Sequence, residues 1–299
     1  MKRFRILAVT LSLLVLVAMF VGCGGPETVT FPDENLDAAI RDKLGKPAGE
    51  EILATELANL TTLNASLSGI TDLSGLEYCT NLTELNIYGN QISDVSPLSS
   101  LTNLTWLRLN ENQISDISSL SSLTNLTLLA LYTNEISDIS ALSSLTNLAA
   151  LRLNENQISD ISSLASLTNM ILLYLGENQI SDISPLASLT NLTELNIYGN
   201  QVSDISALSS LTNLAALSLN ENQISDISPL ASLVNIITLR LNGNQISDIS
   251  PLVENSGLGA GDEVYYTVYL EDNNLDLTEG SEDMENIRAL QNRGVEVTY

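Results

Sequence analysis

The chain has 299 residues, of which 44% are hydrophobic, so it is apolar enough to fold and does not have the composition of a disordered protein. Its 36 acidic residues against 11 basic ones give a net charge of −25, which argues against nucleic acid as a partner because phosphate backbones are repelled. Histidine is absent and there are two cysteines, so the usual histidine-based catalytic and metal-binding groups are excluded.

The first 22 residues have the layout of a signal peptide. Lys2, Arg3 and Arg5 give a positive start, and an apolar run of 16 residues follows from Ile6 to Val21. This run is shorter than the roughly 18 residues that suggest a membrane-spanning helix. We therefore predict that residues 1–22 are a targeting segment that is removed.

The end of this segment, Phe20-Val21-Gly22-Cys23, resembles the lipobox of bacterial lipoproteins. The resemblance implies that Cys23 is lipidated, becomes the mature N-terminus and anchors the protein to a membrane outside the cytoplasm, in the cell envelope. The alternative is a plain signal peptide followed by a chance cysteine. Loss of residues 1–22 removes three basic residues and no acid, which leaves 8 basic and 36 acidic residues and a net charge of about −28.

Residues 23–30 are predicted to be a linker, and residues 31–57 an N-terminal cap for the segment that follows. Within this cap, Phe31 to Gly45 has the pattern of an amphipathic helix. Asp33 can cap its start and Gly45 can end it. We expect the helix to cover the open core of the next unit.

From residue 58 to residue 255 the chain repeats nine times with a period of 22 residues. The first copy, 58–79, is degenerate, and the second, 80–101, reads TNLTELNIYGNQISDVSPLSSL. A period of about 20–29 residues with leucines at fixed offsets is the signature of a leucine-rich-repeat solenoid. The sequence therefore predicts one elongated α/β domain in which each repeat packs only on its neighbours.

The repeat 102–123 shows how one coil forms. Leu107 and Leu109 alternate as in a short strand with both side chains inward, and Asn112 stands where the chain turns and can bond unpaired backbone groups. Asp116 can cap a tight helical turn on the return path. The equivalent aspartates would stack about 5 Å apart, so a calcium-binding ladder is the alternative interpretation of these acids.

Residues 256–299 are predicted to form a C-terminal cap that contains a partial tenth repeat. Val268, Leu270 and Asn273 match the strand and turn positions of the repeat. A last helix capped by Ser281 and a closing strand, 295–299, follow. Cys79 occupies a position where most repeats have a buried leucine, so we expect it to be a small core residue.

The pattern LxxLxLxxNxIxDIxPL resembles that of the internalin family of bacterial surface leucine-rich-repeat proteins, over roughly residues 31–299. The resemblance implies a curved solenoid with a parallel β-sheet on the concave face and 3₁₀ turns on the convex face. It also implies that the protein acts by binding other proteins. A lipid on Cys23 would replace the sorting motif or wall-binding module that we do not find after the cap.

Strand residues that point away from the core are expected to line the concave face, where they vary while the framework does not. Tryptophan, tyrosine and arginine dominate binding hot spots, and these types cluster in the columns. The alternative is chance variation on a recently duplicated array, since Asn81–Gln91 recurs unchanged as Asn191–Gln201. The predicted partner-binding residues are Trp106, Arg108, Leu128, Tyr132, Arg152, Leu172 and Tyr174.

These observations predict a non-catalytic, monomeric protein-binding module that needs no cofactor or metal. The acidic surface favours a basic protein partner, although acidity also serves solubility alone. A structural spacer of the envelope without a dedicated ligand is the alternative function. An enzyme is disfavoured, because the acids follow the repeat frame rather than converging on a cleft as paired catalytic carboxylates do.

Overall fold

The computed structural model describes residues 27–261 and 265–299. The predicted signal peptide, 1–22, and the predicted lipid attachment site, Cys23, lie outside these residues. In the described part of the chain, no helix is long and apolar enough to cross a bilayer.

The N-terminal cap combines two short strands with two helices. Strands β1 (Thr28–Val29) and β2 (Ile52–Leu53) pair in antiparallel fashion beside helices α1 (Glu34–Leu44) and α2 (Ala54–Leu57). Helix α1 begins after Asp33, whose Oδ1 accepts hydrogen bonds from the amides of Asn35 and Leu36 at 2.9 Å. It ends at Gly45, which has a left-handed φ of 68°. The helix therefore has the capped boundaries that the sequence predicts.

A single parallel sheet runs the length of the molecule, with each strand paired to the strand of the next coil. Equivalent positions of successive repeats face each other, as Trp106 faces Leu128. The predicted leucine-rich-repeat solenoid, with this sheet on its concave face, is thereby confirmed. In the described residues the sheet has eleven strands: β3 (Thr62–Asn64), β4 (Glu84–Asn86), β5 (Trp106–Arg108), β6 (Leu128–Ala130), β7 (Ala150–Arg152), β8 (Leu172–Tyr174), β9 (Glu194–Asn196), β10 (Ala216–Ser218), β11 (Thr238–Arg240), β12 (Tyr266–Tyr269) and β13 (Val295–Thr298).

The return path of each coil contains a short 3₁₀ turn on the convex side, such as Ser118–Ser122, and the last coil has helix α3 (Ser250–Glu254) instead. Asp116 Oδ1 accepts a hydrogen bond of 2.8 Å from the Ser118 amide at the start of its turn. This bond holds the pKa of Asp116 below its ordinary value. Capping therefore accounts for the repeated aspartates. Within residues 27–261 and 265–299 no group of three or more acids or cysteines is arranged to hold a metal ion.

A row of asparagines inside the solenoid joins consecutive coils. Asn178 Nδ2 donates to the carbonyls of Leu153 and Leu175 at 3.0 Å, and its Oδ1 accepts from the Ile158 amide at 3.0 Å. These bonds satisfy backbone groups that would otherwise be buried without partners. The same arrangement recurs at Asn90, Asn112, Asn134, Asn156, Asn200, Asn222, Asn244 and Asn273.

The C-terminal cap closes the other end of the core. Helix α4 (Glu282–Asn292) starts after Ser281, whose Oγ accepts from the Met284 amide at 3.2 Å, and it buries Ile287 and Leu290 completely. Strand β13 then completes the sheet, as expected. Cys79 is buried, and burial raises the pKa of its thiol to about 12, so it is an inert core residue.

Candidate protein-binding face

Most three-residue strands of the sheet present their first and last side chains to solvent, and the exceptions are β6 and β10, whose last residues Ala130 and Ser218 are buried. In β5 the central Leu107 is fully buried, whereas Trp106 and Arg108 on either side of it are half-buried and point to the concave face. The same pattern places all the residues of the predicted patch on this face, each of them half-buried: Trp106, Arg108, Leu128, Tyr132, Arg152, Leu172 and Tyr174.

The arginines of this face are stacked on aromatic rings. The guanidinium carbon of Arg108 lies 4.4 Å from the centre of the Trp106 ring, because both residues project from the same side of β5. Arg152 lies opposite Tyr174 in the sheet, at 5.3 Å from its ring centre. Such cation–π contacts fix the position of the charge while leaving the guanidinium edge free to bond.

These two guanidinium groups lack acceptors among the residues that the structure describes. In the described residues neither Arg108 nor Arg152 donates a side-chain hydrogen bond, and the buried Nε of Arg152 has no partner. The ion pairs found in the same residues all lie in the N-terminal cap, between Arg41 and Asp37 and between Lys46 and two glutamates. Each guanidinium carries five N–H donors, so the face presents fixed cations with unused bonding capacity.

The predicted patch is a band rather than a compact cluster. Trp106 is on β5, whereas Leu172 and Tyr174 are on β8. Three strand steps of about 4.8 Å separate them by about 14 Å. Leu128 is the direct neighbour of Trp106 in the register. The predicted patch therefore extends along the solenoid, because a 22-residue repeat moves each equivalent residue one strand further along the sheet.

Three features of this face were missed from the sequence. The Tyr174 hydroxyl donates a short hydrogen bond to Glu194 Oε1, and burial together with this carboxylate raises the Tyr174 pKa to about 12. Tyr198 lies over Gly176, where an added Cβ would overlap its ring. Among the equivalent positions of the repeats, Gly176 is the one glycine. This exception is the sequence signal from which the contact with Tyr198 could have been predicted. Arg240 also stacks on an aromatic ring, at 5.4 Å from the centre of Tyr269.

A row of glutamates borders the concave face where the strands end. Glu111, Glu155, Glu177 and Glu221 are exposed and occupy a left-handed turn position with φ between 53° and 57°. Glu155 accepts a hydrogen bond of 3.0 Å from Thr133 Oγ1. The Glu177 amide donates to the Tyr198 carbonyl at 2.8 Å, so this row lies beside the face. Burial and the negative charges of Glu177, Glu155 and Glu221 raise the pKa of Tyr198. From the sequence, these acids contribute only to the net charge, and their position beside the concave face was not predicted.

The face continues into a groove at its N-terminal end. This groove has a volume of about 290 Å³ and is bounded by Trp106, Glu84, Asn86 and Lys43 of α1, among others. Lys43 Nζ donates to Thr62 Oγ1 of β3 at 3.0 Å, so the N-terminal cap adds a cation next to the tryptophan.

A larger cavity of about 470 Å³ lies in the N-terminal cap, away from this face. Several acids line it, but Arg41 Nε binds Asp37 at 2.6 Å and Lys46 Nζ binds Glu50 at 3.1 Å. The first pair lies within α1 and orients Arg41, whose Nη1 donates to the carbonyls of Pro47 and Glu50 and so joins α1 to the segment that precedes β2.

Comparison with known families supports this architecture. The family model for leucine-rich repeats in two copies matches residues 58–100, 102–144, 146–188, 168–210 and 212–254. Because these matches cover most of the chain, the protein belongs to the leucine-rich-repeat family. Comparison with curated proteins found no match.

Two solved structures place the chain more closely. Internalin C2 of Listeria monocytogenes is 40% identical, with a TM-score of 0.68 over 70% of this chain and 97% of that one. A second internalin of the same species, inlF, is 36% identical, with a TM-score of 0.58 over 90% of this chain and 91% of that one. Within its family, the chain is therefore an internalin-like leucine-rich-repeat protein.

A third structure shows the same fold in a different setting. The leucine-rich-repeat ectodomain of an Arabidopsis thaliana membrane receptor kinase, solved in complex with Casparian strip integrity factor 2, is 24% identical. Its TM-score is 0.64 over 75% of this chain and 28% of that one, a likeness of fold alone. Leucine-rich-repeat proteins generally mediate protein–protein binding, and their concave surfaces are extended binding scaffolds.

Proposed function

We propose that this protein is a non-catalytic binding module that captures a protein partner on its concave face. The observation that carries the proposal is the pair of stacked cations on that face, Arg108 on Trp106 and Arg152 on Tyr174, whose donors have no acceptor in the described residues. Interface hot spots are enriched in tryptophan, tyrosine and arginine, and side chains fixed in advance lose less entropy on binding.

The proposal includes a tether. A lipid on Cys23 would hold the solenoid outside a bacterial membrane, with the few residues between Cys23 and β1 as a short spacer, since β1 belongs to the N-terminal cap and shortens the predicted linker. Replacement of Cys23 by alanine is expected to move the protein from the membrane fraction to the soluble fraction, and mass spectrometry of the wild-type N-terminus should show the acyl mass. A wild-type chain that carries no lipid would contradict the tether but not the binding face.

The binding face is tested by chemical crosslinking and capture from intact cell envelopes, with the mature chain as bait. A second bait carries Trp106→Ala, Tyr132→Ala and Tyr174→Ala together. A control bait carries Tyr265→Ala and Tyr299→Ala, which remove tyrosines that are 91% and 45% exposed but lie in the C-terminal cap.

We expect a partner that the wild-type and control baits capture and that the triple variant loses. Truncation of a hot-spot residue typically costs about 2 kcal/mol or more of binding free energy, so the triple variant should bind at least about a hundredfold more weakly. The same proteins on all three baits would refute the concave-face assignment and favour an envelope spacer without a ligand.

A further inference from the structure

We infer that the occupant of the concave face is a charge-split protein helix, with carboxylates along one flank and lysines or arginines along the other. This inference rests on the proposed function and adds the chemistry and shape of the partner. It follows from two parallel rows of opposite charge on the face, which are named here the arginine row (Arg108, Arg152 and Arg240) and the glutamate row (Glu111, Glu155, Glu177 and Glu221).

The arginine row is the exception in an acidic body. Residues 58–255 contain 18 acidic residues and three basic ones, and all three basic residues take the last position of their strands, in one column of the sheet. Each stacks on an aromatic ring at 4.4 to 5.4 Å, so the positive charges are held in place. Because none of the three forms an ion pair in the described residues, their charges are available to carboxylates of a partner.

The glutamate row runs parallel to the arginine row. Each glutamate lies three residues beyond the arginine column along the chain, which is about 10 Å at about 3.3 Å per residue. The Glu155 and Glu177 amides donate to the carbonyls of Gly176 and Tyr198 at 2.9 and 2.8 Å, so the row is in register with the concave face. A wholly acidic segment would be repelled by this row, and a wholly basic segment would be repelled by the arginines.

The dimensions of the two rows match a helix lying across the strands. An α-helix with its side chains is about 10–12 Å wide, which is the separation of the rows. Arg108 and Arg240 are six strand steps apart, or about 29 Å, and a helix of about 20 residues spans about 30 Å. An extended segment fits less well, because its alternating side chains face opposite directions and reach one row at a time.

The test uses two synthetic helical peptides of about 20 residues with the same composition and no net charge. One carries glutamates on one flank and lysines on the other, and the second has both residue types mixed along both flanks. Trp106, the one tryptophan of the chain, lies on the face, so its fluorescence reports binding to the full-length mature protein directly.

We expect the charge-split peptide to bind at least about tenfold more tightly than the mixed peptide, since several ion pairs form together. Arg152→Gln with Arg240→Gln, or Glu155→Gln with Glu177→Gln, should abolish this preference. The matched control for the arginine pair, Arg288→Gln with Arg293→Gln in the C-terminal cap, changes the net charge by the same amount and should retain the preference. Equal binding of the two peptides, or no binding of either, would overturn the inference.

Failure of this inference and failure of the proposed function give different results. If the triple aromatic variant loses its envelope partner but the two peptides bind alike, the concave face is the binding site and the charge-split helix is wrong. If the triple variant retains every envelope partner, the concave-face assignment itself is wrong.

Discussion

The asparagine row shows how one residue type holds the coils at their spacing. Asn178 is buried and bonds backbone groups of two successive coils, as donor to Leu153 and Leu175 and as acceptor from Ile158. An alanine at this position would leave these backbone groups without partners in the interior. Each buried unsatisfied group costs about 1–3 kcal/mol.

Asn178→Ala is therefore expected to lower the free energy of unfolding by about 2–4 kcal/mol, measured by urea denaturation. Asn169→Ala is the matched control, because Asn169 is exposed and donates a single bond of 2.9 Å to Thr146. Asn169→Ala should lower the free energy of unfolding by about 1 kcal/mol or less. Equal losses for the two variants would show that the interior bonds contribute no more than the edge bonds.

Gly176 has a comparable role on the concave surface, where its missing side chain makes room for the Tyr198 ring. We expect Gly176→Ala to displace this ring and to destabilise the protein by about 1–3 kcal/mol, as overpacking does. In a Tyr198→Ser background the same change should cost much less, and urea denaturation of the four proteins of the cycle measures the difference. Additive effects would contradict the proposed packing.

At the scale of the element, strand register and turn chemistry were readable from the sequence. Leucine spacing predicts the strands, Asn112 predicts the turn bonds, and Asp116 predicts the capped 3₁₀ turn, because each depends on local pattern alone. The stacking of Arg152 on Tyr174 was not readable, because it depends on which rotamers fit across two neighbouring strands. The glutamate row was also missed, since its importance comes from alignment with Tyr198 in space.

The capped 3₁₀ turns make stability depend on acid pH. Backbone hydrogen bonds lower the pKa of Asp116 and of its equivalents Asp138, Asp160, Asp182, Asp204 and Asp226 below the ordinary aspartate value of 3.8. Because the pKa of each aspartate is lowered in the folded state, the stabilisation that these carboxylates contribute is fully present above pH 3.8. It is lost as the pH falls through the pKa values of the folded state.

We therefore expect the urea midpoint to fall as the pH is lowered from about 4 to about 2. The variant with Asp138→Asn, Asp160→Asn and Asp182→Asn should show a shallower fall, because asparagine still caps a turn but does not titrate. A variant whose midpoint falls as steeply as that of the wild type would assign the acid sensitivity to other carboxylates.

For the whole molecule, the repeated register predicts that coils can be removed as units. Deletion of residues 212–233, one complete repeat, should leave a folded solenoid, because 211 then joins 234 at an equivalent position of the next coil. The slope of unfolding free energy against urea should fall by about a tenth, in proportion to the buried surface removed.

The control deletion, 212–222, removes half a repeat and places inward residues at outward positions. Its circular dichroism spectrum should show loss of the fold, whereas deletion of 212–233 should retain the spectrum of the wild type. A half-repeat deletion as stable as the full-repeat deletion would mean that the 22-residue register does not govern packing.

The backbone bonds between coils all run along the length of the solenoid, as from the Thr127 amide to the Thr105 carbonyl at 2.9 Å. A pulling force applied to the two ends of the chain therefore opens one coil at a time, rather than shearing all the bonds of the sheet together. Each 22-residue coil that opens releases about 70 Å of extended chain. The molecule would thus lengthen under load in steps of one coil, while the remaining coils keep their fold.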